Sequence, residues 1–232
     1  MAAFFSDLLD DFLGIDFLKK VHKKFHYTPE QMETLLAVAQ EMLPRMRAEA
    51  FWERRLSDAQ ICGNLLAAKF DEKYEDVVIS LGYGLDELQE NYSQKGMLLE
   101  SYMLETLASE LLLQSYGSYN RYTLKEGKWH VARYHFPGSE ENFPLELLPK
   151  MLQGITNRVA CNSALCMQPK KSVAFVAELT QDAKRFCEGI CTGCGSMDCP
   201  NRGEDDSLMR RLAVHSRADM PLTYGYARIF GK

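Results

Sequence analysis

The chain has 232 residues, 46% hydrophobic and 25% charged, a composition typical of a soluble globular protein with one sizeable core. Its 27 Lys and Arg against 32 Asp and Glu give a formal net charge of -5, which provides no overall attraction for nucleic acid or an anionic membrane. No apolar run approaches the roughly 20 residues that span a bilayer, and no basic residue precedes Lys19, which argues against a secretion signal. We therefore expect a cytoplasmic protein that binds neither nucleic acid nor a membrane.

The first seventy residues are predicted to be mainly helical. Apolar residues recur at spacings of three and four from Phe5 to Phe25, with an interruption at Gly14. The run Thr28-Pro29-Glu30-Gln31 is a helix start, because its Thr and Gln can cap each other's backbone amides and its Pro needs no amide partner. The helix that it opens is expected to end at about Ala50, and a further amphipathic helix is expected over 58–68.

Short strands and helices are predicted in the middle of the chain. The β-branched run from Asp76 to Leu81 predicts a buried strand, and Gly82-Tyr83-Gly84 predicts a turn into a helix over 85–92. A long central helix is expected over 95–115. Further strands are expected at 122–124, 129–136 and 171–179, the first two joined as a hairpin, and short helices at 143–152 and 180–186. Helices around antiparallel strands indicate an α+β domain over 1–179 and a Cys-rich extension over 180–232.

Four of the seven cysteines fall within thirteen residues near the C-terminus: Cys187, Cys191, Cys194 and Cys199. The intervening loops of three, two and four residues contain glycines, so that the backbone can turn tightly and direct four thiolates at one centre. In a reducing compartment this density indicates metal ligation before disulfides. Compact runs followed by a proline, here Pro200, are typical of iron–sulfur clusters, whereas structural zinc more often takes two separated pairs. We therefore expect these four residues to bind a 4Fe-4S cluster, with zinc or unligated thiols as alternatives.

The spacing of the first three cysteines also matches that of radical S-adenosylmethionine enzymes, in which a missing fourth ligand leaves one iron open to the cofactor. That chemistry belongs at the start of a repeated β/α barrel, whereas only 38 residues follow Cys194 here. Cys199 can close the fourth site. A radical enzyme is therefore the weaker alternative.

Three segments carry a resemblance to a known family. They are Val78 to Asp86 (VISLGYGLD), Leu98 to Ser109 (LLESYMLETLAS) and Met167 to Val173 (MQPKKSV), with Gly154-Ile155 between the last two. In order and spacing they resemble the activation domain of vitamin B12-dependent methionine synthase, especially its short stand-alone relatives. The resemblance covers residues 30–178.

The resemblance implies an α+β domain that binds S-adenosylmethionine and docks against a corrinoid-binding protein, so that inactive cob(II)alamin is reduced and remethylated. The cofactor loop of that family reads Arg-x-x-Pro-Gly-Tyr. Its counterparts here are Arg133, Pro137 and Gly138, with Arg133 one residue earlier and Ser139 in the Tyr position. A glutamate on the family's long helix has Glu110 as its nearest counterpart.

Together, the cysteine run and the resemblance predict an iron–sulfur protein that supports the reductive reactivation of a corrinoid-dependent methyltransferase. Reactivation needs one low-potential electron, which a cubane held by four cysteines can be tuned to deliver. The alternatives are a non-redox adaptor that binds a corrinoid protein and has a structural metal site, or the radical enzyme described above.

Overall fold

The computed structural model describes residues 14–57 and 72–185, together with Leu9, Phe12 and Cys187. Its helices are α1 (Ile15–Lys24), α2 (Met32–Glu49), α3 (Gly84–Gln94), α4 (Leu98–Gly127) and α5 (Leu148–Ile155), with short 3-10 turns at Pro29–Gln31 and Leu145–Leu147. Its strands are β1 (Phe51–Leu56), β2 (Glu72–Ser80), β3 (His130–His135), β4 (Ala160–Cys161), β5 (Met167–Gln168) and β6 (Ser172–Thr180). The helix predicted over 58–68 and the other three cysteines of the run lie outside the described residues.

Four strands form one antiparallel sheet in the order β1-β2-β6-β3, and β4 pairs with β5 in a separate hairpin. The predicted α+β class with an antiparallel sheet is therefore confirmed. The central strands β2 and β6 are buried on both faces, which explains why they are rich in apolar residues on consecutive positions. Val77 and Ile79 face the layer of α2, α3 and α4, whereas Val78 faces α5.

Helix α4 is longer than the sequence predicts, since it continues to Gly127 and takes in the strand expected at 122–124. The predicted hairpin between strands at 122–124 and 129–136 is therefore wrong, because the first of these strands does not form. The β propensity of Tyr122 and Thr123 is a weak preference, and tertiary packing overrides it. The ring of Tyr122 packs edge-on against Trp52 of β1 at 4.7 Å between centroids, and Thr123 Oγ1 donates to the Asn120 carbonyl at 3.0 Å.

The segment after β6 is a turn rather than the predicted helix, as far as it is described. Asp182 Oδ1 accepts from the amide of Lys184 at 2.9 Å, and the Asp182 carbonyl accepts from the amide of Arg185 at 3.0 Å. Such local side-chain bonds give the backbone an alternative to a helix. Strand β1 also differs from the prediction, because it lies at Phe51–Leu56, where the sequence pattern predicts no helix or strand.

The other predicted elements that fall within the described residues are present with shifted ends. A helix begins after Gly14, another covers Met32–Glu49, and strands cover Glu72–Ser80 and Ser172–Thr180. The amide of Thr28 donates to Gln31 Oε1 at 2.8 Å, as the capping pattern predicts. Within the described residues, no helix combines the length and the apolar character that crossing a membrane requires.

Candidate functional site

The residues that the resemblance assigns to a cofactor lie on the edge strand β3 and on the turn that follows it. Ala132 is the extra residue of a bulge between Val131 and Arg133, and beyond the bulge Arg133 pairs with Glu178 of β6. Paired residues share a face, so that both side chains lie on the α5 side of the sheet. Tyr134 lies on the opposite side, within the core beneath α4.

Arg133 lies one residue earlier than the arginine of the family pattern, and its side chain therefore lies on the opposite face of β3. Tyr134 stands three residues before Pro137, where the family pattern has its arginine. Its ring is buried and packs against Tyr116 and Phe175. The guanidinium of Arg133 is therefore presented on the other side of β3, with 40% of the side chain exposed.

Pro137 and Gly138 are the central residues of a tight turn. The amide of Ser139 donates to the Phe136 carbonyl at 3.0 Å, and Gly138 has φ 82, so that the turn is type II. Gly138 also donates to the Phe143 carbonyl at 2.7 Å. These bonds give the loop after β3 a defined shape, and only glycine adopts this φ without strain.

Five charged or titratable side chains meet on this face: Arg133, His135, Glu140, Glu178 and Arg185. We call them the Glu178 cluster. His135 has no exposed surface, its Nδ1 lies 2.8 Å from Glu140 Oε1, and its Nε2 lies 3.5 Å from Glu178 Oε2. Arg185 donates to Glu178 Oε1 at 2.6 Å, and Arg133 lies 3.5 Å from Glu140. One histidine thus lies between two carboxylates, each of which also contacts an arginine.

The electrostatics of the cluster favour the ionised form of Glu178. Contact with His135 is the largest influence on Glu178 and lowers its pKa, against the burial that would raise it. The Arg185 guanidinium lowers the pKa of Glu178 further. Glu178 is therefore a negative charge at neutral pH, on a side chain that is only 5% exposed.

The Glu178 cluster is not fully hydrogen-bonded within the part of the chain that the structure describes. Arg133 Nε and His135 Nε2 are buried there without a hydrogen-bond partner, since the 3.5 Å separation from Glu178 is an electrostatic contact and not a short bond. An unsatisfied buried donor costs about 1–3 kcal/mol. Each such group in a native fold needs an explanation, such as a water, an ion or a bound ligand in contact with it.

Cys187, the first of the four predicted metal ligands, adjoins the same strand. Its amide donates to the Val131 carbonyl at 2.8 Å, and its side chain is 3% exposed in the main core. Cys191, Cys194 and Cys199 lie outside the described residues. Among the residues that are described, no three His, Cys, Asp or Glu side chains come together as metal ligands.

The predicted cofactor-binding residues and the first predicted metal ligand therefore both adjoin β3. Cys187 is fixed at Val131, which precedes Arg133 by two residues across the bulge at Ala132. The donor set of the cysteine run, four thiolates on short glycine-bearing loops, suits a 4Fe-4S cluster. Arg185 lies two residues before Cys187 and bonds to Glu178. The approach to the cysteine run is thus fixed to the Glu178 cluster.

Glu110 lies elsewhere on α4. It is buried, and it faces α1, where Lys20 and Lys24 reach its two carboxylate oxygens at 2.5 and 2.7 Å. Burial would raise the pKa of Glu110, but the two lysines outweigh it and lower the pKa. Glu110 therefore holds α1 onto α4 and does not approach β3.

Sequence reasoning missed His135, Glu140, Glu178 and Arg185 as one group. The available signal is Glu178, a charged residue inside the otherwise apolar run of β6. A charge in a buried strand needs a partner. The identity of the partners depends on the bulge at Ala132 and on the fold of the loop after β3, which local patterns do not specify.

The three segments that carry the resemblance meet at the other end of the sheet. Tyr83 donates to the Gln168 carbonyl at 3.1 Å, the amide of Lys170 donates to Asp86 at 2.9 Å, and Lys171 pairs with Glu105 of α4. They form one contiguous packing unit. In comparisons with known proteins, the chain matches no family model and no curated protein. Kinship with the methionine synthase activation domain is therefore a prediction from these segments alone.

Proposed function

We propose that this chain is an iron–sulfur protein, resembling a methionine synthase activation domain, that supports the reductive reactivation of a corrinoid-dependent methyltransferase. The observation that carries the proposal is that the amide of Cys187 donates to the carbonyl of Val131 in β3, the strand that also carries Arg133 and leads to the Pro137-Gly138 turn. A site that reduces and then remethylates a corrinoid needs an electron source and a methyl donor within reach of one partner. The shared strand supports that arrangement.

The proposed reaction begins with one electron, which a low-potential electron-carrier protein supplies. Bound by Cys187, Cys191, Cys194 and Cys199, a 4Fe-4S cluster would supply one-electron transfer at low potential. The cobalt of the partner's cob(II)alamin gains the electron. S-adenosylmethionine would supply the methyl group that the reduced cobalt accepts, with S-adenosylhomocysteine as the leaving product.

The chain's own residues contribute position and charge. The Val131 carbonyl fixes the backbone of Cys187, and the surrounding core excludes water from that thiol. The side chain of Arg133, which is 40% exposed, suits a carboxylate such as that of S-adenosylmethionine, because planar guanidinium groups bind carboxylates by two parallel hydrogen bonds. The turn at Pro137 and Gly138 follows the same strand and would lie next to that carboxylate.

Metal content is the first test. We expect protein purified without oxygen to contain about four iron and four sulfide per chain, and to show a visible absorption that dithionite bleaches. Cys191→Ser and Cys194→Ser should lose both. Cys166→Ser is the matched control, because Cys166 is exposed in the β4–β5 hairpin and outside the run, and it should keep the full iron content. Colourless protein without iron would contradict the proposal.

The functional test is cob(II)alamin reduction in a reconstituted mixture with a corrinoid methyltransferase and a low-potential electron donor. We expect the wild-type chain to accelerate formation of methylcobalamin, and the double variant Cys191→Ser/Cys194→Ser to lose the acceleration. Equal rates with both proteins would exclude an electron relay.

A non-redox adaptor is the second candidate, and the burial of Cys187 favours it. A metal bound by a thiol that is already fixed in the core would hold the C-terminal extension against the domain. Zinc is colourless and does not change oxidation state. Protein with one zinc and no iron, which still binds a corrinoid protein, would select this candidate.

A further inference from the structure

The imidazole of His135 connects two segments that are distant in sequence. Its Nδ1 contacts Glu140 at 2.8 Å, and Glu140 belongs to the loop that contains Pro137 and Gly138. Its Nε2 faces Glu178 at 3.5 Å, and Glu178 binds Arg185 of the segment that leads to Cys187. The ring has no exposed surface, so that water cannot replace either contact.

We infer that His135 is a positioning residue that couples the 136–144 loop to the 181–187 segment. Only the doubly protonated ring can present an N–H to both carboxylates at once. Neutral imidazole keeps one N–H and faces the other carboxylate with a lone pair. Loss of one proton from His135 therefore weakens the attachment of one segment and removes the positive charge that attracts both.

The surroundings of His135 contain charges from every element packed against it. Arg133 lies on the same strand and contacts Glu140, while Glu178 comes from β6 and Arg185 from the turn after it. Val176 of β6 pairs with His135 on one side and with Asp76 of β2 on the other, and the carboxylate of Asp76 forms an ion pair with Arg55. The formal charges of the two carboxylates and the two guanidinium groups therefore add up to zero. The net charge of the site is then set by the charge of His135.

The coupling works in both directions. A ligand that moves the 136–144 loop changes the Glu140 contact, and through the ring it changes the attachment of the 181–187 segment. A metal that draws Cys187 and Arg185 away from Glu178 affects the loop by the same factor. The coupling goes beyond the proposed function, because it holds whatever the two segments bind.

Hydrogen exchange on the full chain, followed by mass spectrometry between about pH 5.5 and 8.5, tests the inference. After correction for intrinsic exchange, we expect both segments of the wild-type protein to lose protection together, roughly tenfold, as the pH rises. In His135→Gln the two segments should exchange fast at every pH, with β2 unchanged as the internal reference. His130→Gln, at the start of the same strand, is the matched control and should keep the wild-type profile.

Two results would overturn the inference. One is a pH-dependent change in a single segment. The other is an unchanged pH profile in His135→Gln. If the variant does not fold, the wild-type protein decides by NMR: the amide shifts of both segments should change with pH at one common midpoint, and separate midpoints would refute the coupling. The coupling is read from exchange and chemical shifts, whereas the proposed function is read from iron content, so that failure of one is distinguishable from failure of the other.

Discussion

Two buried carboxylates lie at the same end of the sheet, on opposite faces, and they are satisfied in different ways. Glu75 of β2 faces the helices and binds Arg54, Lys73 and Tyr119, the last two at 2.6 and 2.9 Å. We call these four residues the Glu75 cluster. Glu178 faces α5 and binds Arg185 and His135.

The partners of Glu75 all come from the framework of the fold, namely β1, β2 and α4. Burial would raise the pKa of Glu75, but its three donors outweigh it and lower the pKa. Burial, and then the charge of Glu75, raise the pKa of Tyr119 well above its ordinary value, so that its hydroxyl remains a donor. The Glu75 cluster is therefore a structural anchor.

The partners of Glu178 come from the segments that surround the candidate site. Arg185 leads to the cysteine run, and His135 leads through Glu140 to the Pro137-Gly138 loop. Two buried donors of this cluster have no hydrogen-bond partner among the described residues. The difference shows that burial of a carboxylate alone does not mark a functional site, whereas a buried carboxylate whose partners lead to the candidate site is a candidate for a role there.

The largest expected effect is that of Glu75→Ala. Removing the carboxylate leaves Arg54, Lys73 and the Tyr119 hydroxyl without their shared acceptor, and we expect a loss of about 3 kcal/mol in the free energy of unfolding. Urea unfolding measures it. Glu126→Ala, at an exposed position near the end of α4, is the control and should change stability by less than about 0.5 kcal/mol. A loss below about 1 kcal/mol for Glu75→Ala would contradict its role as an anchor.

The α5 face has a second buried ion pair, and Gly154→Ala tests it. Asp76 has no exposed surface and binds Arg55 at 3.1 Å, and a Cβ on Gly154 would overlap the Arg55 guanidinium. Helix propensity favours Ala over Gly by about 1 kcal/mol, but displacement of Arg55 should reverse the sign and cost about 2 kcal/mol.

The matched control is Gly117→Ala in α4, where the nearest atom to an added Cβ is the end of the Arg121 side chain at 3.8 Å. This variant should be more stable than the wild type by up to about 1 kcal/mol. If both variants are stabilised in urea unfolding, Arg55 moves freely and the Asp76 pair does not constrain α5.

Local patterns predict the framework of this fold better than its candidate site. The run from Asp76 to Leu81 and the cap at Thr28 identify β2 and α2, because burial and capping act over neighbouring residues. Strand β1 is missed, since its Glu53-Arg54-Arg55 interior lacks an apolar alternation and its pairing with β2 decides its structure. The strand expected at 122–124 fails because contact with Trp52 decides its conformation.

The candidate site depends on contacts between distant residues, and these are harder to predict. Arg133, Pro137 and Gly138 were identified through the resemblance, and the cysteine run through its spacing. The face on which Arg133 lies follows from the strand alternation after the bulge. The meeting of His135 with Glu140 and Glu178 requires the whole arrangement of β3, β6 and the following loop.

Glu178→Gln sharpens the comparison, because its main effect should be local. The amide cannot hold Arg185 or His135 by charge, but it keeps the volume, so that we expect only about 1 kcal/mol of global destabilisation. Trypsin should cleave after Lys184 or Arg185 at least several times faster than in the wild type. Glu141→Gln, on the exposed part of the neighbouring loop, is the control. Unchanged cleavage, or a global loss as large as that of Glu75→Ala, would remove the distinction between the two clusters.

The smallest effect concerns acid stability and separates buried from exposed carboxylates. The pKa of Glu110 is lowered in the folded chain despite its burial, because Lys20 and Lys24 bind it; the pKa of Glu105 is lowered, against its partial burial, by Lys171. A lowered folded pKa contributes stability above the unfolded value of about 4.3, and this stability is lost as the pH falls through the folded pKa. Glu110→Gln should therefore reduce the difference in unfolding free energy between pH 7 and pH 3 by about 1 kcal/mol, measured by urea titration.

Glu105 is 44% exposed, so that solvent screens its ion pair and Glu105→Gln should reduce the difference by only a few tenths of a kcal/mol. Equal reductions would mean that burial does not set the strength of these pairs, and the contrast between the two clusters would then rest on their partners alone.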